Sequence, residues 1–216
     1  MGRSAIIFMA DSGGGHRSAA VALKEAFEIL EPGAWDVHFI DVFSLLPFPL
    51  NKSGGFYRPM VTYTPWLWST LWRLAQRRWF LNFVFSFFTP LTRKPLLKLI
   101  EDYRPEIAIS VHQFSNVIPV RVFRDGGWDG FFATVVTDLI TTPMAWFYPG
   151  VDACFVPTPE AAEMAVRAGI SPDKIHLKGF PVSPRFLPPE DKGAAKRALG
   201  LRDDIPVLLL MGGGGG

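Results

Sequence analysis

Ala5-Ile6-Ile7-Phe8-Met9-Ala10 runs into Asp11-Ser12-Gly13-Gly14-Gly15-His16 and then into the Ala-, Leu-, Glu- and Lys-rich stretch Arg17 to Leu30. A short apolar run, a cluster of glycines and a helix-forming segment predict strand, tight loop and helix, the first β-α unit of a layered fold. The three glycines carry no Cβ, so a ligand or a neighbouring loop can approach the main chain, and the unpaired N–H groups of the next helix face it. Phosphate or a developing negative charge suits such a place. The spacing matches neither G-x-G-x-x-G nor a loop ending in Gly-Lys-Ser/Thr, so neither the dinucleotide fingerprint nor the P-loop is present. The distinguishing residue is the histidine. At the first helical turn the positive end of the dipole disfavours imidazolium and keeps His16 neutral, as a general base requires. Its place just past strand one, where open sheets bind ligands, favours that role over a capping or sheet-packing histidine.

The same strand, loop, helix order recurs along the chain. Trp35 to Asp41 predicts a second strand whose last residue, Asp41, caps the turn rather than meeting a ribose. Leu96 to Tyr103 predicts a helix that ends before Arg104-Pro105, and Glu106 to Val111 a buried strand with His112 at its carboxyl end. Asn116 to Arg124 follows as a helix that brings Arg121 and Arg124 near one another. Phe131 to Val136 is a strand followed by Asp138; Trp146, in the next loop, either covers part of a ligand or anchors the loop locally. Asp152 to Pro157 (strand), Pro159 to Ala168 (helix closed by Gly169) and Lys174 to Lys178 (short strand) complete the series. His16, His112 and Asp138 thus fall beyond three strand ends of a doubly wound α/β domain with a parallel sheet.

Composition narrows the class further. At 216 residues and 49% hydrophobic, the chain can bury a real core. The single cysteine, Cys154, excludes an internal disulfide and fits a reducing compartment; it lies in an apolar run and reads as core. Met1-Gly2-Arg3-Ser4 leads straight into a strand, so no amino-terminal signal peptide is expected. The net charge of +2 implies no polyanionic partner, but between Val42 and Ile100 there are eight basic residues and no acidic one. Within the insert from about 45 to 99, twelve aromatics fall between Phe56 and Phe88. Its charge-free runs are shorter than the roughly twenty residues a spanning helix needs, and Pro65 and Pro90 interrupt them. The segment therefore reads as short helices lying in a membrane interface, Trp66, Trp68 and Trp72 at headgroup depth and arginines toward anionic lipid. The plainer reading is ordinary core with solvated arginines. Single-stranded nucleic acid is a poorer partner, since the segment is too apolar and lacks the alternation of a strand platform. Residues 181–190 are proline-rich linker; beyond them Lys192 to Leu199 predicts a helix and Ile205 to Met211 a strand entering a second glycine loop, Gly212 to Gly216.

Ser12-Gly13-Gly14-Gly15-His16-Arg17-Ser18-Ala19-Ala20 resembles the amino-terminal signature of monogalactosyldiacylglycerol synthases and the related bacterial processive diacylglycerol glucosyltransferases. The resemblance continues through Ser110-Val111-His112, Thr137-Asp138-Leu139, Trp146-Phe147, Pro149-Gly150-Val151-Asp152 and Lys178-Gly179-Phe180-Pro181-Val182, in the expected order over nearly the whole chain. It implies the amino-terminal half of a GT-B glycosyltransferase: residues 1–180 an acceptor-binding Rossmann-like domain carrying the membrane-associating insert, 181–190 the linker, and 191–216 the start of a truncated donor-binding domain. The implied reaction moves a hexose from a UDP-sugar to diacylglycerol with inversion. His16 would be catalytic, Gly14, Gly15, Gly212, Gly213 and Gly214 would meet the donor diphosphate, and His112, Arg121, Asp138, Trp146, Trp66, Trp68 and Trp72 the acceptor lipid. No Asp-x-Asp pair occurs, so no metal is expected, and no cofactor beyond the UDP-hexose donor. The implied partners are diacylglycerol, anionic membrane lipid and the UDP-sugar, with the protein peripheral on the cytoplasmic face; the isolated fragment would be inactive. Where the family typically has proline after the histidine of Ser-Val-His, this chain has Gln113. Two alternatives stand beside this reading: transfer of N-acetylglucosamine to a lipid-linked peptidoglycan precursor, against which the aromatic insert and the Ser-Val-His and Thr-Asp-Leu signatures weigh, and a non-catalytic lipid-binding fragment.

Overall fold

In the computed structural model, residues 2–10, 14–52, 57–139, 142–188 and 191–210 are described. Six strands, β1 (Arg3–Met9), β2 (Trp35–Asp41), β3 (Ile107–Ser110), β4 (Phe131–Val135), β5 (Ala153–Val156) and β6 (Ile175–Leu177), form one parallel sheet in the order β2-β1-β3-β4-β5-β6. The expected doubly wound architecture is therefore present. Strand β1 lies inside, and the alternation of its side chains divides the core in two. Ile6 and Phe8 face a cluster that includes Leu81, Phe85, Leu96 and Phe123, whereas Ala5, Ile7 and Met9 face Ala19 and Ala20 of helix α1 (Gly14–Leu30). Connections leave β1 toward β2 on one side and return to β3 on the other, so the crevice above β1 and β3 is the switch point at which open sheets bind ligands.

Between β2 and β3 come α2 (Tyr57–Tyr63), α3 (Pro65–Leu74) and α4 (Arg78–Tyr103). The sequence predicted a break at Pro90, but α4 continues through both Pro90 and Pro95 for 26 residues. The Thr89 and Thr92 hydroxyls donate one turn back to the carbonyls of Phe85 and Phe88, at 2.6 and 2.9 Å, whereas the carbonyls that the prolines leave without an N–H are those of Ser86 and Leu91. The inner face of α4 places Leu81 and Phe85 in the core; Trp79, Phe83 and Phe87, four residues apart, form an exposed stripe on another face. The aromatics of the insert thus serve as both core and surface.

Helices α5 (Val117–Asp125) and α6 (Pro159–Arg167) follow β3 and β5. Arg124 of α5 donates to Asp152 at 2.6 Å and to the Gly130 carbonyl at 2.8 Å, while Asp152 also accepts from the Phe132 N–H at 2.7 Å. The acid of the Pro-Gly-Val-Asp signature is therefore a brace between α5 and the β4–β5 edge. Asp41 caps the following turn through the Phe43 N–H, as expected. Past β6 the chain folds back on α1, where Ser183 and Arg185 both bond to Glu25. Helix α7 (Lys192–Ala198) is present, but of the strand expected over Ile205 to Met211, residues 205–210 have no regular structure and are exposed, with no pairing strand among the described residues, and Met211 lies outside them.

Candidate functional site

His16 enters from the first turn of α1, at the carboxyl end of β1, and its Nδ1 lies 2.8 Å from the carbonyl oxygen of Val111, just past β3. A carbonyl can only accept, so Nδ1 carries the hydrogen and Nε2 of the neutral ring carries a lone pair. Thr137 Oγ1 approaches the same Nδ1 at 3.0 Å. Burial is the main cause lowering the His16 pKa, opposed by the Val111 bond and the charge of Asp138. The neutral form expected from the helix dipole is therefore favoured, chiefly through desolvation.

His112 caps the short 3-10 turn Gln113–Ser115 and is 4% exposed. The Phe114 N–H donates to its Nδ1 at 3.4 Å, and its ring meets that of His16 edge to face, centroids 4.6 Å apart. Burial first, and the neighbouring His16 second, push its pKa down to about 3. The Ser110 and Ser115 hydroxyls lie 2.7 Å apart and 2.9 and 2.8 Å from the His112 carbonyl, so one donates to the other while the second donates to that carbonyl, which fixes the backbone that carries the ring. Asp138 sits past β4 and accepts from the Trp146 indole N–H at 2.7 Å. Asn116 in turn holds the Trp146 carbonyl at 3.1 Å and accepts from Thr134 at 2.9 Å. Three strand ends therefore converge on one site, as expected.

These groups open on a cavity of about 610 Å³. His16, His112 and Asp138 form its polar part, and Trp68, Trp72 and Phe80 of α3 and α4 belong to its apolar wall. Proton-accepting nitrogen beside an apolar chamber is chemistry for a hydroxyl on a greasy molecule. Gly15 lines the cavity, and Gly14 lines an adjoining hollow beside Arg185. A Cβ at either glycine would meet nothing within 4 Å, and neither has the left-handed backbone that demands glycine. Their openness serves whatever enters rather than this chain's own packing.

Several expected residues are placed differently. Trp146 is completely buried and cannot cover a ligand; it anchors Asp138 from below. Arg121 does not line the cavity: its guanidinium stacks on Tyr148 at 5.2 Å and donates to that hydroxyl at 3.2 Å. Trp66 is 69% exposed on the outer side of α3, apart from the cavity that Trp68 and Trp72 line. Gly212, Gly213 and Gly214, like Asp11, Ser12 and Gly13, lie outside the described residues. Cys154 is buried core, its thiol pushed up to about 12 by burial. No group of His, Cys, Asp and Glu among the described residues could hold a metal. Sequence reasoning missed the Val111 carbonyl, which no side-chain pattern reveals, and the part of Thr137, whose signal was its place directly before Asp138.

Comparison with known proteins agrees with this geometry. Residues 16–182 match the family model described as monogalactosyldiacylglycerol (MGDG) synthase, a span that covers His16, His112 and Asp138. The chain is 34% identical to the probable monogalactosyldiacylglycerol synthase, chloroplastic, of Glycine max over 99% of its own length and 41% of that protein's. The corresponding figures are 34%, 98% and 41% for the Spinacia oleracea enzyme, and 32%, 99% and 41% for monogalactosyldiacylglycerol synthase 1 of Arabidopsis thaliana. The chain thus spans about two-fifths of the length of these curated relatives. A solved structure, the lipopolysaccharide outer core galactosyltransferase WaaB in its apo form, superposes with a TM-score of 0.50 at 15% identity, over 88% of this chain and 50% of that one, a likeness of fold alone. With the signature residues gathered at one switch-point cavity and the family model covering most of the sheet that carries them, the chain belongs to the monogalactosyldiacylglycerol synthase family.

Proposed function

We propose that this chain is the acceptor-binding part of an inverting glycosyltransferase that moves a hexose from a UDP-sugar to the free hydroxyl of diacylglycerol. The observation that carries the reading is the 2.8 Å bond from His16 Nδ1 to the Val111 carbonyl, which leaves Nε2 as the basic nitrogen at an apolar cavity. In the reaction Nε2 takes the hydroxyl proton as the lipid oxygen bonds to the anomeric carbon. The bond from that carbon to the UDP oxygen breaks, and UDP leaves with the electron pair. Open space at Gly14 and Gly15, next to the α1 amino terminus, suits the diphosphate, with Gly212 to Gly214 contributing from the donor side.

Membrane contact is assigned to the outer faces of α3 and α4. Trp66, Trp79, Phe83 and Phe87 are exposed there beside exposed Arg73, Arg77 and Arg78, a pattern suited to an anionic interface. Among the described residues no helix is long and apolar enough to cross a membrane, which fits peripheral attachment. We place the protein on the cytoplasmic face, where the unpaired Cys154 suits a reducing compartment.

The test joins this chain to the remaining portion of the spinach relative and supplies diacylglycerol vesicles with UDP-hexoses. Formation of a glycosyl diacylglycerol is the expected result. Vesicle binding without UDP-hexose binding or transfer would overturn the reading in favour of a lipid-binding fragment.

A further inference from the structure

The two histidines of the cavity are not equivalent. His16 Nδ1 faces a carbonyl oxygen at 2.8 Å, which cannot donate; His112 Nδ1 faces the Phe114 N–H at 3.4 Å, which cannot accept. In neutral rings these contacts force opposite tautomers, the hydrogen on Nδ1 in His16 and on Nε2 in His112. Both rings line the same cavity, 4.6 Å apart. Among the described residues the buried side-chain polar atoms without a partner are Ser4 Oγ and Gln113 Oε1. His112 Nε2 is not one of these and has no acceptor among the described residues; since His112 lines the cavity, the nitrogen opens there. The site therefore offers one acceptor and one donor side by side, both uncharged.

Resting on the diacylglycerol reading above, we infer that His112 is the residue that recognises the ester: its Nε2–H takes an ester carbonyl oxygen of the lipid whose neighbouring hydroxyl faces Nε2 of His16. A glycerolipid presents this pair, a hydroxyl that donates and, a few bonds away, a carbonyl that only accepts. A neutral donor suits an uncharged ester, and the deep burial of His112 keeps it neutral throughout the physiological range. The apolar wall of Trp68 and Trp72 then receives the acyl chains.

Tautomers are read directly from histidine-selective 15N spectra of the unmodified 216-residue chain, with His16→Ala and His112→Gln for assignment. The proton should reside on Nδ1 in His16 and on Nε2 in His112. Dioctanoylglycerol should then shift both rings. Its dialkyl ether analogue, lacking carbonyls, should shift His16 alone and bind roughly 3- to 10-fold more weakly, the worth of one hydrogen bond. His112→Gln, which retains a side-chain N–H, should keep the preference for the ester, and His112→Leu should abolish it. A proton on Nδ1 of His112, or equal affinity of the unmodified chain for ester and ether, overturns the inference while leaving the diacylglycerol reading intact. A chain that binds neither lipid loses the diacylglycerol reading, and the ester contact with it.

Discussion

Trp146 donates its indole N–H to Asp138 at 2.7 Å from a position with no solvent exposure, and its ring centroid lies 6.2 Å from that of His16. A residue whose signature position suggested ligand contact is instead the support on which the acid beside the catalytic candidate rests. Trp146→Phe keeps most of the packing and removes the donor, leaving a carboxylate oxygen partly buried without its partner. The expected loss is about 1–3 kcal/mol in a denaturant unfolding experiment. Trp66→Phe, on the outer surface, should change stability by less than about 0.5 kcal/mol.

Gln113 stands at the first position of a 3-10 turn, where a backbone N–H has no partner within the turn, and its side-chain Oε1 is buried and unmatched. The residue before it, His112, has the extended backbone (φ −141°, ψ 135°) that a following proline prefers. Gln113→Pro should therefore stabilise the chain by about 0.5–1 kcal/mol, read as a raised unfolding midpoint at unchanged denaturant slope.

Stability should depend on pH through His112. Its pKa is depressed to about 3 in the folded chain, against about 6.5 when unfolded, so the unfolded state binds the proton first on acidification. The stability present above pH 6.5 is lost as pH falls toward 3, with a slope of up to about 1.4 kcal/mol per pH unit from this one group. His112→Gln should flatten that part of the curve, as measured by unfolding free energy at a series of pH values.

Replacing Trp79, Phe83 and Phe87 together by serine tests the exposed stripe of α4. Vesicle binding should weaken by more than about tenfold, while the unfolding free energy changes little, since these rings are already in water. Phe85→Ala, two positions from both Phe83 and Phe87 but in the core, should behave in the opposite manner, costing about 3–5 kcal/mol.

The parallel sheet was legible because each β-α unit is a local pattern: Ile6 to Ala10 and the helix-forming run after Gly15 fix one another through short-range periodicity. The convergence of His16, His112 and Asp138 followed from the rule that residues beyond parallel strands share one edge of the sheet. What escaped were effects decided across the chain. Pro90 reads locally as a break, yet α4 continues through it with Phe85 and Leu96 buried in the core on either side. Trp146 reads as either ligand cover or local anchor, and only the Asp138 contact and its complete burial decide for the anchor. Residues 205–210 have the composition of a strand and no partner strand among the described residues to make them one.

The central claim is that His16 Nε2 accepts the proton of the lipid hydroxyl. In the chain joined to the remaining portion of the spinach relative, turnover of diacylglycerol vesicles with UDP-hexose is the direct measurement. His16→Ala should lower kcat by roughly 10²- to 10⁴-fold, the usual share of a general base, with vesicle binding unchanged. Turnover within a few-fold of the unmodified protein would contradict it.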